Sequence, residues 1–370
     1  MANYKSMKTI GLIVPSLKAG GMERVMSEVA NYLSNDPNLE IHLILFSRRK
    51  NFFSISSDII IHRPDYDSTQ RIKMIFKFGS YLRRTLRNID PHAVLSFGSM
   101  YNSFVLLFSL GLGLDVYVSD RSNPYRNTEL TFKKDPIKRH DGIVHYFLKK
   151  ILYKKAAGIV VQTEKAKEIE IDFLGHSNVI LFPNPVREIK EYPHIEKEQW
   201  IINVGRFIPT KNQLLLIKIF SEIQFGDWNL VFAGDGPELD KAKKLTADLN
   251  LTNKIIFLGN VPDLDFYLRK SEIFAFPSVS EGFPNALAEG MKASLACISF
   301  DCVAGPSDII KNGESGFLIP NGNKKIFKEK LEILMNNEDI RKRLQNNAND
   351  SIKKFDKSIV IENLKKELIS

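Results

Sequence analysis

Two glutamates near residue 285 give the clearest chemical signal in the sequence. Glu281 stands before a Gly-Phe-Pro turn, and Glu289 follows after seven further residues. Pro284 suits the first turn of a helix, so Glu281 is predicted on the loop and Glu289 inside the start of that helix. Both carboxylates can accept hydrogen bonds from sugar hydroxyls, and this loop chemistry at this spacing is rarely accidental.

Two cations follow a different predicted strand. Arg206 and Lys211 lie where the chain leaves the run Trp200–Val204 and enters a helical pattern. A guanidinium fork and an ammonium group near a helix N-terminus are what a diphosphate requires. The alternative is that both are ordinary surface cations.

Glycines stand at further junctions between strand and helix. Gly20 and Gly21 follow the first strand and would let an anion approach the backbone, although a tight turn explains them equally well. Gly234 and Gly236 could line a nucleotide pocket, but a plain turn is favoured. Val261 follows another strand, where backbone groups could read the edge of a base. No complete G-x-G-x-x-G follows the first strand, which argues against a dinucleotide fold.

The elements that must position these residues are visible as apolar runs alternating with helical patterns. Because the runs lack strict alternation and helices separate them, they indicate parallel sheets covered on both faces. The predicted strands are Thr9–Pro15, Ile41–Phe46, Ile59–Arg63, Ala93–Phe97, Asp115–Ser119, Gly158–Gln162, Val179–Phe182, Trp200–Val204, Asn229–Ala233, Ile255–Leu258, Ile273–Phe276 and Ala296–Phe300. A short strand is also expected before Pro320.

The pattern breaks at residues 184–199, where prolines and charges replace periodicity, and this segment is interpreted as a linker. The prediction is an α/β protein with two Rossmann-like domains facing each other across a cleft. The domains span residues 1–183 and 200–355, and residues 356–370 form a C-terminal helix that can return to the first domain.

Composition narrows the class of protein. The chain has 370 residues and a net charge of +9, and the positive excess lies in its first half. Such a surface suits anionic partners, although a basic face kept for solubility explains it as well. No apolar run is long enough to span a membrane and no signal peptide is visible, so a cytoplasmic protein is expected. Cys297 and Cys302 are predicted to be buried packing residues.

With these residues in view, the chain resembles the family 4 glycosyltransferases of the GT-B fold over essentially its whole length. The resemblance is carried by the glycine pair before Met22, by Gly205–Lys211 and by Glu281–Glu289, with support from Asp301–Pro320. It implies that the N-terminal domain binds the acceptor and that the C-terminal domain binds a nucleotide sugar.

The resemblance also implies roles for individual residues. Arg206 and Lys211 would hold the donor diphosphate, and Glu281 the hydroxyls of the transferred sugar, so these three form the predicted catalytic set. Glu289 would hold the ribose hydroxyls. The other implied donor contacts are Gly21, Gly205, Val261, Phe283, Asn285, Ala286 and Leu287.

The family retains anomeric configuration and uses neither a metal nor another cofactor. The two cations would take the part of a metal by stabilising the leaving diphosphate. The implied mechanism is front-face attack, in which the leaving phosphate oxygen helps to deprotonate the acceptor. A hexose or N-acetylhexosamine is expected to move from a nucleotide sugar, with UDP the first choice, to a glycan acceptor.

The sequence departs from the family after the strand that ends near Ser119. Many members carry a histidine there, whereas this chain has Asp120 and Arg121, so the role of the histidine is not carried over. The segment Ser-Asp-Arg-Ser-Asn-Pro resembles the corresponding segment of a family branch that builds lipid-linked glycans and bacterial surface polysaccharides such as O-antigen and capsule. Asn102, Asp120 and Arg121 are the predicted acceptor-side residues. Three others in or beside the basic stretch have no assigned role: Arg126, His140 and His145.

Two D-x-D pairs are not expected to bind metal. Asp65 and Asp67 form the first, and Asp263 and Asp265 the second. Neither follows a strand in the required setting, and the second lies at a predicted helix start, where aspartate is an ordinary cap. A hard cation also needs more oxygen ligands than one pair supplies.

The segment Arg71–Arg87 predicts a basic amphipathic helix. Its apolar face either covers the sheet, which is favoured, or lies on anionic lipid at the inner face of the cell membrane. The members predicted for that face are Ile72, Ile75, Phe76, Leu82 and Leu86. The segment Lys133–Lys155 is similarly basic and aromatic.

Two other functions remain open at this point. A nucleotide-sugar epimerase can share the GT-B fold, but it needs no acceptor surface, and the basic N-terminal domain disfavours it. A non-enzymatic protein that binds nucleotide or nucleic acid is the second. Acidic residues at the predicted site and the lack of an aromatic nucleic-acid motif argue against a nucleic-acid partner.

Overall fold

The structure is a computed structural model that describes residues 7–18, 20–65, 71–121 and 139–370. The chain divides into two compact units. The first unit comprises Met1–Pro185 together with Ser358–Ser370, and the second comprises Val186–Lys357.

The sheet of the first unit has parallel strands in the order β3-β2-β1-β4-β5-β6-β7. These strands are β1 (Lys8–Val14), β2 (Leu39–Leu45), β3 (Ile60–His62), β4 (Ala93–Phe97), β5 (Asp115–Ser119), β6 (Gly158–Val161) and β7 (Val179–Leu181). The described helices between them are α1 (Gly21–Leu33), α2 (Arg71–Ile89), α3 (Ser99–Ser109), α4 (Arg139–Leu152) and α5 (Glu164–Leu174).

The strands of this sheet are apolar along their length because helices cover both faces. All five residues of β4 are buried. Leu82 of α2 and Val105 of α3 pack with Ile13 of β1 in one hydrophobic core. The sheet is therefore a rigid base from which the loops after its strands project.

The sheet of the second unit is also parallel, in the order β10-β9-β8-β11-β12-β13. Its strands are β8 (Trp200–Val204), β9 (Asn229–Ala233), β10 (Ile255–Gly259), β11 (Ile273–Phe276), β12 (Ala296–Asp301) and β13 (Phe317–Pro320). Its helices are α6 (Gln213–Ser221), α7 (Leu239–Asp248), α8 (Leu264–Lys270), α9 (Asn285–Lys292), α10 (Pro306–Ile309), α11 (Lys324–Asn336) and α12 (Glu338–Ile352).

An aromatic cluster in the second unit reaches into one of its loops. The ring of Phe207, which follows β8, lies 5.6 Å from the ring of Phe232 and 6.1 Å from that of Phe257, measured between centroids. Phe207 is 1% exposed. The core therefore anchors the loop that carries the neighbouring Arg206.

The predicted fold class is confirmed, because each unit is a Rossmann-like parallel sheet with helices. The predicted strands all form, with ends within two residues of the prediction, and β13 is the short strand expected before Pro320. Cys297 and Cys302 are free and buried, as predicted.

The segment interpreted as a linker, residues 184–199, lies almost entirely within the second unit. Val186 forms a parallel bridge with Asp356, and Arg187 pairs with Asp265 at 2.6 Å. The final helix, α13 (Lys357–Ile369), lies with the first unit from its second residue onward. There Lys365 pairs with Asp36 at 2.7 Å.

The apolar face predicted for α2 is partly wrong. Leu82 and Leu86 are buried as expected, but Phe76 is 71% exposed, and Phe78 and Tyr81 are buried in its place. The side chains of residues 72 and 75 lie outside the described part of the chain. The exposed positions lie on the side of α2 turned away from the sheet.

Each sheet has one point at which the strand order reverses. It lies between β1 and β4 in the first unit and between β8 and β11 in the second. Loops diverge at such points, and open parallel sheets bind ligands there, at the carboxyl ends of the strands.

Candidate active site

An ion pair lies at the switch point of the second sheet. Lys211 follows β8 and Glu281 follows β11, and the Lys211 Nζ lies 2.6 Å from the Glu281 Oε1. The lysine side chain is 23% exposed and the glutamate 9%. The structure thus brings together two of the three predicted catalytic residues from segments that are 70 residues apart.

Short hydrogen bonds hold the two loops together around this pair. The Ser278 hydroxyl donates to Glu281 Oε1 and also reaches the Thr210 carbonyl at 3.1 Å. The Val279 N–H donates to the same carbonyl at 2.9 Å. Because both loops are tied at several points, the positions of the ammonium and carboxylate groups are fixed relative to the sheet.

Arg206, the third predicted catalytic residue, is exposed. Its backbone carbonyl accepts a 3.1 Å hydrogen bond from Gln213 Nε2, which ties the loop to the start of α6. Its guanidinium forms no ion pair with a residue in the described ranges. The guanidinium therefore projects from a fixed backbone at the same sheet edge as Lys211.

Gly234 and Gly236 support this loop from the neighbouring strand. A Cβ on Gly234 would stand 2.2 Å from the Gly205 carbonyl oxygen, and one on Gly236 would stand 2.6 Å from that of Phe207. Gly234 has a φ of +141°, in the region that favours glycine. The two glycines allow the β8 and β9 loops to pack backbone against backbone, in keeping with the favoured prediction of a turn.

The start of α9 carries the predicted backbone donors. Phe283 is 5% exposed and precedes the helix, whose first turn contains Ala286 and Leu287. N–H groups in the first turn of a helix have no acceptor within it and are oriented toward ligands. Asn285 differs, because its N–H donates to the Phe283 carbonyl at 3.0 Å. The predicted contact through the Asn285 N–H thus competes with an existing hydrogen bond.

Glu289 lies one turn into α9 and meets residues that the prediction did not include. Arg187 Nε lies 3.2 Å from Glu289 Oε1, and Arg187 also pairs with Asp265. Burial alone would lower the pKa of Arg187, but its hydrogen bonds and charge attraction to the two carboxylates outweigh burial and raise the pKa. Arg187 thus bridges α8 and α9 and orients the Glu289 carboxylate.

Val261 is half-buried and follows β10, two residues beyond Gly259. The Gly259 carbonyl accepts the Gly234 N–H at 2.8 Å, so the loops after β9 and β10 are joined. Val261 therefore lies at the same sheet edge as the loop after β8, where a backbone contact with a base was predicted.

In the first unit, Gly21 opens α1 after β1. The adjacent Gly20 is extended, and a Cβ there would stand 2.2 Å from the Glu23 carboxylate oxygen Oε2. Glu23 is 6% exposed, so an acidic group lies under the glycine turn. Gly20 therefore packs closely against an acidic side chain, in addition to any ligand contact of the glycine pair.

The predicted acceptor-side residues Asn102 and Asp120 share a buried polar network. The Asn102 amide donates at 3.0 Å both to the Ser119 carbonyl and to Asp120 Oδ1. The Tyr153 hydroxyl donates to the same carboxylate oxygen at 2.6 Å, and Lys149 Nζ lies 2.9 Å from Asp120 Oδ2.

The network continues inward, where Lys149 also pairs with Glu170 at 2.5 Å. Burial would lower the pKa of Lys149, but the two carboxylates outweigh it and raise the pKa. Burial and the Asp120 charge raise the pKa of the Tyr153 hydroxyl well above its usual range. Asn102, which is fully buried, therefore holds the loop after β5 in place through these hydrogen bonds.

Arg121, the third predicted acceptor-side residue, has a different set of partners. Its guanidinium donates to the Phe182 carbonyl at 3.1 Å and to the Asn184 side-chain oxygen. The rings of Phe97 and Phe182 lie 4.7 Å and 5.0 Å from its central carbon.

The second unit matches a known family. Residues 186–351 match the family model described as "Glycosyl transferases group 1". A relative from Campylobacter jejuni subsp. jejuni serotype O:2 is named "N-acetylgalactosamine-N,N'-diacetylbacillosaminyl-diphospho-undecaprenol 4-alpha-N-acetylgalactosaminyltransferase". It is 26% identical over 98% of this chain and 100% of its own length.

The second unit belongs to the group 1 glycosyltransferase family. Two solved structures have the same fold as the whole chain. The "lipopolysaccharide outer core galactosyltransferase WaaB apo form" gives a TM-score of 0.77 at 20% identity, covering 98% of this chain and 99% of that one. The structure of Anabaena "Alr3699/HepE in complex with UDP and glucose" gives a TM-score of 0.74 at 14% identity, covering 97% of this chain and 98% of that one. The predicted resemblance and the GT-B fold are thereby confirmed.

The sequence prediction missed several residues of this glycosyltransferase. Arg187 was assigned to a linker, and no local sequence pattern indicates which residues it pairs with. Ser278 lies beside Glu281 in a motif that was recognised, so its serine hydroxyl was a signal that could have been used. Lys149 and Glu170 lie in helical patterns, where charged residues are normally exposed, and only the tertiary fold shows that they are buried together.

The structure describes both residues of one D-x-D pair and only one residue of the other. Asp263 caps α8 by accepting from the Phe266 N–H, and Asp265 pairs with Arg187. Residue 67 of the other pair lies outside the described residues, as do residue 126 and the side chains of residues 140 and 145. Among described residues, no three histidine, cysteine or acidic side chains form a group able to hold a metal.

Proposed function

We propose that the protein is a retaining, metal-independent glycosyltransferase. In this proposal it transfers a hexose or N-acetylhexosamine from a UDP-sugar to a lipid-linked glycan acceptor. The observation that carries the proposal is the Lys211–Glu281 pair at the switch point of the second sheet, with exposed Arg206 on the same edge. A cation and a carboxylate held together there match a ligand that carries both phosphate and hydroxyl groups.

In the proposed site, a donor diphosphate is held by the two cations. Lys211 then interacts with a phosphate oxygen and less strongly with Glu281. Glu281 in turn accepts a hydrogen bond from a sugar hydroxyl. Arg206 supplies a planar fork that matches phosphate geometry. Both cations favour the transition state, because negative charge on the leaving diphosphate grows as the glycosidic bond breaks.

The proposed reaction is a substitution on one face of the sugar. The bond from the anomeric carbon to the phosphate oxygen breaks, and the acceptor oxygen forms a new bond to that carbon from the same side. The acceptor proton passes to the departing phosphate oxygen, which becomes basic as the bond lengthens. Lys211 and Arg206 stabilise UDP as the leaving group, so no protein nucleophile is required.

Relatives support the choice of donor and acceptor. The Campylobacter relative is named for transfer of N-acetylgalactosamine to a diphospho-undecaprenol-linked sugar, and the HepE structure contains UDP. Surface polysaccharide synthesis, including O-antigen or capsule, is consistent with a lipid-linked acceptor. The positive charge of the first half of the chain suits an acceptor that carries a diphosphate.

The first unit also offers a surface suited to an anionic membrane. Helix α3 packs against both α2 and α4. Exposed apolar side chains on the three helices include Phe76, Leu107, Phe147 and Ile151, at 71%, 39%, 57% and 63%. Exposed Lys77 and Lys150 lie beside Phe76 and Phe147. Aromatic rings next to lysines favour the boundary between acyl chains and anionic headgroups. No described helix is both long and apolar enough to span a bilayer.

A thermal-shift and turnover experiment tests the proposal. Purified protein in EDTA is titrated with UDP, GDP, ADP and a panel of UDP-sugars, and transfer to a prenyl-diphosphate-linked sugar is followed. We expect UDP and one UDP-sugar to raise the unfolding temperature, and Arg206→Ala to abolish the rise. A response only with added divalent cation would overturn metal independence. Conversion of the UDP-sugar to an epimer without acceptor would identify an epimerase instead.

A further inference from the structure

One arginine in the first unit is partly buried without a compensating charge. Arg121 follows β5, and its guanidinium contacts the rings of both Phe97 and Phe182. Among the described residues it donates only to neutral acceptors: the Phe182 carbonyl at 3.1 Å, the Ser119 hydroxyl at 3.4 Å and the Asn184 side-chain oxygen. No carboxylate in the described ranges forms an ion pair with it.

Lys149 in the same unit shows a contrasting arrangement. Lys149 has two carboxylates within 2.9 Å, one of them on Asp120, the residue next to Arg121. The Asp120 carboxylate accepts from Tyr153 and Lys149. Burial lowers the pKa of Arg121 to about 9, and no charged group in the described part of the chain offsets this shift. The residue remains a cation at neutral pH.

Arg121 also has more N–H hydrogen-bond donors than the described residues provide acceptors for. A guanidinium has five N–H groups. Nη1 reaches the Phe182 carbonyl and the Ser119 hydroxyl, and Nη2 reaches Asn184. Nε is buried and has no hydrogen-bond partner among the described residues. A buried, unpaired donor on a cation is costly unless a ligand completes it.

The surroundings fix this group at the edge where parallel sheets bind ligands. Phe97 ends β4, Arg121 follows β5, and Phe182 follows β7. Gln162, which follows β6, donates to the Asn184 side-chain oxygen at 2.9 Å and so orients the acceptor of Arg121. Four neighbouring strands thus hold one guanidinium at their carboxyl ends, which is the ligand edge of such a sheet.

We propose that Arg121 is the centre of an oxyanion site that binds a phosphoryl group of a substrate. The inference rests on the proposed function, since a glycosyltransferase of this kind handles two diphosphates. One belongs to the lipid-linked acceptor and the other to the nucleotide sugar. Arginine suits this task because its fork matches phosphate oxygens while the two rings hold the guanidinium plane.

Calorimetric titration of the full chain tests the site with two phosphoryl probes. Geranyl diphosphate is titrated in the presence of saturating UDP, UDP is titrated alone, and geraniol serves as the probe that lacks phosphate. We expect Arg121→Gln to lower the affinity for geranyl diphosphate at least tenfold and to leave the affinities for UDP and geraniol unchanged. If the affinity for UDP falls instead, the phosphoryl group belongs to the donor.

Two further variants keep the test decisive. Arg121→Lys retains the charge without the fork and should weaken the same probe less than Arg121→Gln does. Arg83→Gln is the matched control, because Arg83 also donates to two backbone carbonyls, those of Phe108 and Leu110. It should bind every probe as the wild type does.

The proposal is overturned if Arg121→Gln and Arg121→Lys bind both phosphoryl probes with wild-type affinity. That result leaves the proposed function intact as long as the wild type binds UDP and transfers sugar. Failure of the wild type to bind UDP at all contradicts the proposed function itself. The two failures are therefore distinguishable.

Discussion

At the scale of single residues, the site in the second unit contains two pairs of opposite charges beside the exposed Arg206. Lys211 pairs with Glu281, and Glu289 pairs with Arg187. A nucleotide sugar would compete for the members of each pair, because its phosphates attract the cations and its hydroxyl groups attract the carboxylates. Binding of a donor therefore exchanges interactions within the protein for interactions with the ligand.

Lys211→Ala should reduce the rate more than it reduces donor affinity. The charge that Lys211 offsets increases as the glycosidic bond breaks, so we expect kcat to fall by about 10²–10³ with a smaller change in KM. Steady-state kinetics with the identified UDP-sugar measures both. Lys241→Ala is the matched control, because Lys241 pairs with Glu238 at 3.1 Å on the surface of the same unit. A change in KM alone would contradict the assigned role.

Glu289→Ala should have the opposite signature. A ribose contact is equally strong in the ground state and the transition state, so its loss should raise KM and the Kd for UDP by about tenfold, or about 1.4 kcal/mol. Arg187 keeps Asp265 as a partner, so the variant should still fold. Glu338→Ala, on an exposed helix surface, provides the control. Loss of kcat at unchanged KM would assign Glu289 to the chemical step instead.

At the scale of elements, the strands were predictable because their side chains are buried on both faces and their apolar runs are continuous. The turn motifs after β8 and β11 were predictable because glycine, proline and glutamate carry local signals there. Arg187 was not, because its partners lie 78 and 102 residues away in sequence and its own segment has no periodicity. The exposure of Phe76 was missed because an apolar residue on an amphipathic helix is normally assigned to the core.

Gly234→Ala should disrupt the loop that positions Arg206 and Lys211. Its Cβ would collide with the Gly205 carbonyl at 2.2 Å, at a backbone angle that alanine rarely adopts. We expect a loss of about 2–3 kcal/mol in the free energy of unfolding and a clear loss of UDP affinity. Gly226→Ala is the control, since Gly226 has a positive φ but open space around it. If both variants bind UDP alike, the close packing of the two loops has no effect on the site.

The contact between α13 and the turn after α1 should depend on pH. The hydrogen bond from Lys365 is the largest cause that lowers the pKa of Asp36 to about 2, from 3.8. Because the folded pKa is depressed, the contribution to stability is present above about pH 4 and is lost as pH falls toward 2. Asp36→Asn should cost about 0.5 kcal/mol at pH 7, and the difference from wild type should shrink below pH 4. Denaturant unfolding at several pH values measures this, and a difference that does not vary with pH would contradict it.

At the scale of the whole molecule, the two units differ in their chemistry. The second unit carries the recognised donor motifs, and the first carries exposed apolar side chains interspersed with lysines. The Arg121 site, the buried Lys149 network and the exposed face of α2, α3 and α4 all belong to the first unit.

The proposed membrane face can be tested by vesicle co-sedimentation. Each lysine near an anionic surface contributes about 1 kcal/mol, so replacing Lys77 and Lys150 with glutamine should weaken binding to phosphatidylglycerol vesicles roughly thirtyfold. Binding should also fall with added salt and be weak on phosphatidylcholine. Lys241→Gln in the second unit is the control. Equal binding of the double variant and the wild type would exclude this face as the attachment site.

The last helix of the chain has a consequence for synthesis on the ribosome. The Tyr117 hydroxyl donates to the Glu367 carbonyl at 2.9 Å, and Lys8 donates to the Ile369 carbonyl at 2.5 Å. The first unit is therefore incomplete when its own sheet emerges, and it must wait until Val186–Lys357 has been translated. A chain that ends before residue 358 contains the whole sequence of the second unit but lacks the last helix of the first. The sequence of the second unit is thus complete before that of the first.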